Sequence, residues 1–445
     1  MKPKPFTEGA IHSLFLKSSV PMVIGLLANL LVQSFDIWLI AKLPSDALVA
    51  MGYIFPVVML FIYIAIAISA GVASVLARWS SQLSQKGLHS RLVITQGVGL
   101  IASSLLVLFC LIILPLYPMI MGIEQHIAPL VNHYLSVYFI NGWLTFIGMV
   151  GLSSLRALGL PNIQGWSMLL AALVQAVLAP ICIFVFEWGL QGSAWAGVIA
   201  KSLPVFIAYF YLHKAFRLFA FKLIDFTKEQ ILKTTKSTLH IAIPAMLNNL
   251  FIPIASFITT HLVATLGEAQ VAAFAIAAHI EPVFLLVFHA LSAILAPYMG
   301  QNLMANRLSR VDQGLIISRN FCFITGLLLA LVLFSLAPFL ASLFTSTPEI
   351  QAYLTLYLRI VPVSYGFSGV VILVNASFNG IGQPMPAMVI SALRAFLLYF
   401  PIALFASIHY AFVGVFVAYS VINVLCAFLA YYWFKQRIRQ ISLKR

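Results

Sequence analysis

Apolar residues run along this chain in long unbroken blocks separated by short polar stretches. "LANLLVQSFDIWLIAKL" at 27–43 is typical: a helix-length apolar run with a few polar positions inside it. About 20 consecutive apolar residues are needed for a helix to cross the hydrocarbon core of a bilayer, and in lipid a helix satisfies its own backbone groups. A transmembrane β-barrel would instead alternate apolar and polar residues over short segments. The pattern predicts twelve spans, at 14–41, 47–78, 91–117, 128–157, 162–186, 190–213, 235–265, 269–304, 312–340, 350–380, 385–408 and 411–434. The expected fold class is an all-α polytopic membrane protein.

The pattern also repeats. "YLSVY" at 134–138 returns as "YLTLY" at 353–357, "VLAPICIF" at 177–184 as "LYFPIALF" at 398–405, and "GSAWA" at 192–196 as "GVFVA" at 414–418. Pro21, Pro118, Pro180 and Gln82 find partners in Pro244, Pro338, Pro401 and Gln301. Six spans are thus followed by six related ones in the same orientation, as in secondary transporters built from parallel repeats. The expected organisation is an N-terminal lobe at 1–213, a basic linker at 214–234 lying along the cytoplasmic face, and a C-terminal lobe at 235–445.

Composition agrees: 62% of residues are hydrophobic, only 8% are charged, and mean hydropathy is +1.04. The net charge of +14 raises nucleic acid as a partner, but its placement excludes it. With the N-terminus in the cytoplasm, every basic residue outside the spans except Lys42 falls on the cytoplasmic side. Asp46, Glu124, Glu187, Glu268 and Glu349 fall in the outer loops. Positive charge therefore orients the chain, with both termini cytoplasmic. The polar, basic N-terminus runs straight into the first span without the pattern of a cleavable signal. The four cysteines, Cys110, Cys182, Cys322 and Cys426, are scattered, without metal-ligand spacing. No HExxH, GxSxG or P-loop occurs, so an enzyme is not expected, nor a cofactor or direct drive by ATP.

The chemistry centres on Asp36. Asn29, Gln33 and Asp36 follow an i, i+4, i+7 spacing that places a polar stripe on an oily helix. Such a stripe belongs against a bundle interior or a water-filled cavity, and an ionisable residue there is a functional candidate. Asp36 suits taking a proton from one side of the membrane and releasing it to the other; a helix-packing hydrogen bond or a salt bridge to Lys42 is the structural alternative. Thr259 stands at the matching position of the second half, so ion coupling belongs to the first. Pro21, in the same helix, permits a bend.

Other polar residues within spans are Lys201, Glu281, Arg359 and Arg394. Lys201 either pairs with a carboxylate or snorkels towards the cytoplasm. Glu281 is a second titratable candidate if it reaches a cleft, and otherwise a packing contact. Asn141, Trp143 and Trp166 are candidate cleft residues, along with Lys201 and Glu281. The 35 Phe, 16 Tyr, 7 Trp and 13 Met suit a pliable pocket for flat organic cations.

"DIWLIAKLPSDALVAMGY" (36–53), "THLVATLGEAQVAAFAIA" (260–277), "SSLRALGLPN" (153–162) and "NASFNGIGQP" (375–384) resemble joins of the multidrug and toxic compound extrusion (MATE) family. The resemblance covers essentially the whole chain. It implies a V-shaped pair of six-helix bundles related by a pseudo-two-fold axis, a monomer in the bacterial inner membrane. It also implies export of amphipathic, often cationic compounds in exchange for H+ or Na+. By position Asp36 matches the family's first-helix acid and Pro21 its first-helix proline. Gln175 stands where the DinF-like branch has an Asn in the fifth helix. That branch's second acid is replaced by Ala179, its sixth-helix Thr by Gly197, and the tenth-helix acid of the NorM-like branch is missing. The DinF-like branch is the nearer likeness. One carboxylate with amides favours H+; Na+ at Asp36, with Gln33 and backbone carbonyls, is the second choice. The rival function is a lipid-linked sugar or lipid flippase of the same superfamily, since Lys201, Arg359 and Arg394 offer some positive charge.

Overall fold

The computed structural model describes residues 6–220 and 227–443. Part of the expected linker, 221–226, lies outside the described residues. The described chain is helical throughout its length: α1 (Ile11–Ile40), α2 (Ser45–Ser80), α3 (Gln85–Ile113), α4 (Tyr117–Ile120), α5 (Ala128–Ile140), α6 (Gly142–Ala157), α7 (Pro161–Pro180) and α8 (Gly189–Phe216), then α9 (Lys228–Ala264), α10 (Glu268–Met304), α11 (Leu308–Phe344), α12 (Pro348–Ile360), α13 (Tyr365–Gly380), α14 (Pro384–Ala392) and α15 (Phe400–Leu443). The chain divides into two compact units. One holds Leu16–Met246, and the other holds Leu247–Arg445 together with Gly9–Phe15.

Ten helices among the described residues are long and apolar enough to cross a membrane. Two further breaks turn this into twelve spans. α5 and α6 form a single span bent by 42° at Asn141. The apolar run Pro384–Leu443 holds two spans that reverse at Ala411, whose φ of 48° and ψ of −135° interrupt the helix. Six lie in each half of the chain, α1–α8 and α9–α15. α9 begins at Lys228 rather than at 235, so the basic residues Lys228 and Lys233 belong to a helix.

The surfaces are those of a lipid-solvated protein. Ile324, Leu327, Leu328 and Leu331 form a stripe on α11, each more than half exposed. In water so continuous an apolar surface would promote association.

The repeated joins are repeated turn chemistry. Gly159 (φ +91°) and Gly382 (φ +79°) take the left-handed conformation that ends a helix, and Pro161 and Pro384 open the next. Each repeated proline further along adjoins a π-helical segment: Ile181–Val185 follows Pro180, and Leu393–Tyr399 precedes Phe400 and Pro401. Such segments often mark functional places in helices.

Without a hydrophobic driving force between helices in lipid, small residues let backbones approach and gain van der Waals contact. α1 meets α7 in this way. A Cβ on Gly165 would collide with the backbone of Pro21, and a Cβ on Gly25 would come 2.5 Å from the Gly165 carbonyl oxygen. Gly165→Val should therefore force the two helices apart, at a cost of about 1–3 kcal/mol. A lower melting temperature in detergent, read by size-exclusion fluorescence, is the expected result. Gly97→Ala, which meets open space, should leave it unchanged or slightly raised.

Candidate functional site

Asp36 is buried, at 8% exposure, on α1. Its neighbours are not those of the stripe on its own helix. Ser193 Oγ donates to Asp36 Oδ2 at 2.7 Å. Ser193 is delivered by the start of α8, and Gly192 makes this possible: a Cβ there would lie 2.6 Å from the Cys182 carbonyl oxygen, in the π-helical segment. Ser193, Gly197 and Lys201 follow one another at i, i+4 and i+8, so one face of α8 carries the hydroxyl and the ammonium. Lys201 is within electrostatic reach of Asp36, and its Nζ sits 4.5 Å from the centre of the Tyr138 ring. Tyr134, one turn earlier on α5, interacts with both Asp36 and Ser193. The second carboxylate oxygen, Asp36 Oδ1, is buried and accepts no hydrogen bond among the described residues.

The expected partners behave differently. Gln33 is exposed. Asn29 Nδ2 donates 3.1 Å back to the Gly25 carbonyl of its own helix. Gln175 approaches the same face of α8, its Nε2 lying 3.9 Å from where a Cβ on Gly197 would be. Lys42 does not pair with Asp36; its Nζ stacks 3.6 Å above the Trp38 ring. Asn141 sits at the bend between α5 and α6 and donates to the Val137 carbonyl at 3.0 Å. Trp143 and Trp166 present exposed indoles, at 43% and 51%. Pro21 is buried against Gly165. Arg359 lies 5.1 Å from the Phe334 ring centre.

The second unit carries a different polar centre around Glu281, on α10. Tyr357 donates to Glu281 Oε2 at 2.9 Å and Tyr419 reaches Oε1 at 3.5 Å. Arg394 Nη2 donates to the Tyr419 hydroxyl at 3.3 Å and stands within electrostatic reach of Glu281. Thr259, the counterpart of Asp36, shares a 2.9 Å hydrogen bond with the Tyr399 hydroxyl. A cavity of about 370 Å³ opens among these residues.

Ser193, Tyr134, Tyr357 and Tyr419 are functional candidates that no single-residue signal marks. The repeats do mark three of them: "YLSVY" contains Tyr134 and Tyr138, "YLTLY" contains Tyr357, and "GSAWA" contains Ser193.

The bond between Ser193 and Asp36 is expected to be worth about 1.5–3 kcal/mol, the range for hydrogen bonds to charged groups. Ser193→Ala should lower the melting temperature of the otherwise unaltered protein and have little effect once Asp36 is already Leu. A double-mutant cycle reads the difference.

The sequence profile of the family MatE matches residues 21–181 and 244–405, once in each half. A FAD transporter of Shewanella oneidensis is 30% identical over 436 residues, spanning 96% of this chain and 95% of that protein. The multidrug export protein MepA of Staphylococcus aureus is 22% identical, spanning 96% of this chain and 94% of that protein. Among solved structures, the Vibrio cholerae MATE transporter VcmN in its bent form superimposes with a TM-score of 0.92, at 27% identity over 97% of this chain and 98% of the other.

Proposed function

The chain belongs to the MatE family of membrane transporters, and from that premise we propose that it is a secondary active antiporter that exports amphipathic organic compounds in exchange for H+, with Asp36 carrying the proton. The observation that supports this best is the state of the carboxylate. One oxygen holds Ser193, while the other is buried and without a partner. A proton added at Oδ1 breaks no existing bond. Lys201 offers compensating charge when the proton leaves.

The same neighbour argues against Na+. A metal cation at Asp36 would sit close to an ammonium, and Gln33, expected as a further oxygen ligand, is exposed. For the gradient to do work, Asp36 must hold its proton more tightly in one of two alternating states than in the other. Proton entry from outside favours substrate release there, and proton loss to the cytoplasm resets the cycle. The setting is the bacterial inner membrane, with a monomer whose termini both face the cytoplasm.

The likeness to MepA, a multidrug export protein, supports export of more than one organic compound. The 30% identity to a FAD transporter over nearly the whole chain favours a second reading, a flavin dinucleotide as cargo. A lipid-linked sugar flippase has no comparable support among these relatives.

In efflux-deficient bacteria at matched expression, the wild type should lower retention of ethidium. Asp36→Asn, which preserves shape and hydrogen bonding, should lose at least tenfold in export rate. Undiminished export by that variant would sink the mechanism. Proteoliposomes with an imposed pH or Na+ gradient then separate the two ions.

A further inference from the structure

The first turns of α9 combine exposed lysines with exposed apolar side chains, and coupling at Asp36 uses neither. The helix has 37 residues, which makes it about 55 Å long. A bilayer offers about 30 Å of hydrocarbon, or about 40–45 Å with its headgroup layers. The first turns of α9 therefore lie beside headgroups.

One side of these turns is packed against the rest of the chain. Thr234 and Thr238 are fully buried. Arg91 Nη1 donates to the Gln230 carbonyl at 2.9 Å and to the Thr234 hydroxyl. A Cβ on Gly71 of α2 would lie 2.6 Å from the Thr238 carbonyl oxygen.

The other side faces outward. At about 100° per residue, Lys233, Lys236 and His240 fall within about 60° of one another around the axis, and Leu232, Leu239 and Ile243 form a strip about 40° wide next to them. All six are exposed, Leu232 at 70% and Ile243 at 51%. The lysines lack a protein counter-ion. Glu229 is the one acid between 228 and 243. It stands four residues before Lys233, the spacing at which helical ion pairs form, yet no ion pair joins them among the described residues.

Two cations at headgroup depth, bordered by an apolar strip that runs on towards the hydrocarbon, complement a phosphate with an acyl chain behind it. The lysine stems cover apolar surface while the ammonium groups reach the phosphate. A zwitterionic headgroup brings a cation of its own, which the lysines repel; an anionic one does not.

We propose that this face of α9 is a binding site for an anionic phospholipid, its phosphate held by Lys233 and Lys236 and one acyl chain lying along Leu239 and Ile243. Each basic residue near an anionic membrane surface contributes about fivefold in affinity. The site does not depend on which ion or cargo is transported.

The test is native mass spectrometry of the purified full-length protein with phosphatidylglycerol and phosphatidylcholine of identical acyl chains. Phosphatidylglycerol should be retained at least tenfold more tightly. Lys233→Gln combined with Lys236→Gln should abolish that preference. Both side chains are exposed, so this variant should melt as the wild type does. Lys233→Arg combined with Lys236→Arg should keep the preference. So should Lys435→Gln combined with Arg439→Gln, which removes the same charge from α15. Glycerol phosphate, a headgroup without chains, should not displace the lipid at equal concentration. Equal retention of the two lipids, an equal loss in the α15 variant, or displacement by glycerol phosphate would each overturn the site.

Discussion

A carboxylate buried among apolar helices has to be supplied with donors by those helices, and the 2.7 Å bond from Ser193 to Asp36 dictates much of what surrounds it. For Ser193 to arrive, α8 has to begin hard against the π-helical segment after Pro180, which Gly192 alone among the common residues permits without displacement. Once α8 is seated there, its helical period brings Lys201 to the same face, two turns further on. α1 in turn is held on its other contact by Gly165 and Pro21. The acid, the hydroxyl, the ammonium and two glycine contacts are therefore one arrangement, and no member of it is free to vary alone.

The second unit solves the same problem with other residues. In the register of "GSAWA" and "GVFVA", Gly197 corresponds to Tyr419 and Lys201 to Asn423, while Asp36 corresponds to Thr259. The acid and the base of the first unit have both become neutral polar groups. Charge reappears on different helices, as Glu281 and Arg394, now tied together through tyrosine hydroxyls. Tyr138 and Tyr357 hold matching places in the repeat, yet one lies beneath an ammonium and the other donates to a carboxylate. Duplication supplied the helices, and the polar residues within them took separate courses.

The spans were legible because lipid imposes length and apolarity on every one of them, so even the break at Ala411 falls at the start of the expected twelfth run. The start of α9 was not, because basic residues mark a cytoplasmic end equally well inside or outside a helix. Asp36 stood out as an acid in an oily block. Its partners did not, since a serine or tyrosine in such a block carries no distinguishing signal until another helix comes near. Gln33 misled for a geometric reason: three residues of helix leave it about 60° away around the axis from Asp36, enough to leave one exposed and the other buried. Glu281 and Arg394 were visible as charges within spans, but their pairing is a tertiary fact.

In the exchange proposed here, a single coupling carboxylate also sets the energetics of the cycle. With one proton moved inward for each solute moved outward, a monovalent cation makes the exchange electrically silent, and only the pH difference drives it, at about tenfold accumulation per unit. A solute carrying no net charge leaves one positive charge crossing per turn. The membrane potential then contributes about 2.3 kcal/mol for every 100 mV, or about fiftyfold in concentration. The identity of the cargo thus determines whether voltage reaches this transporter at all.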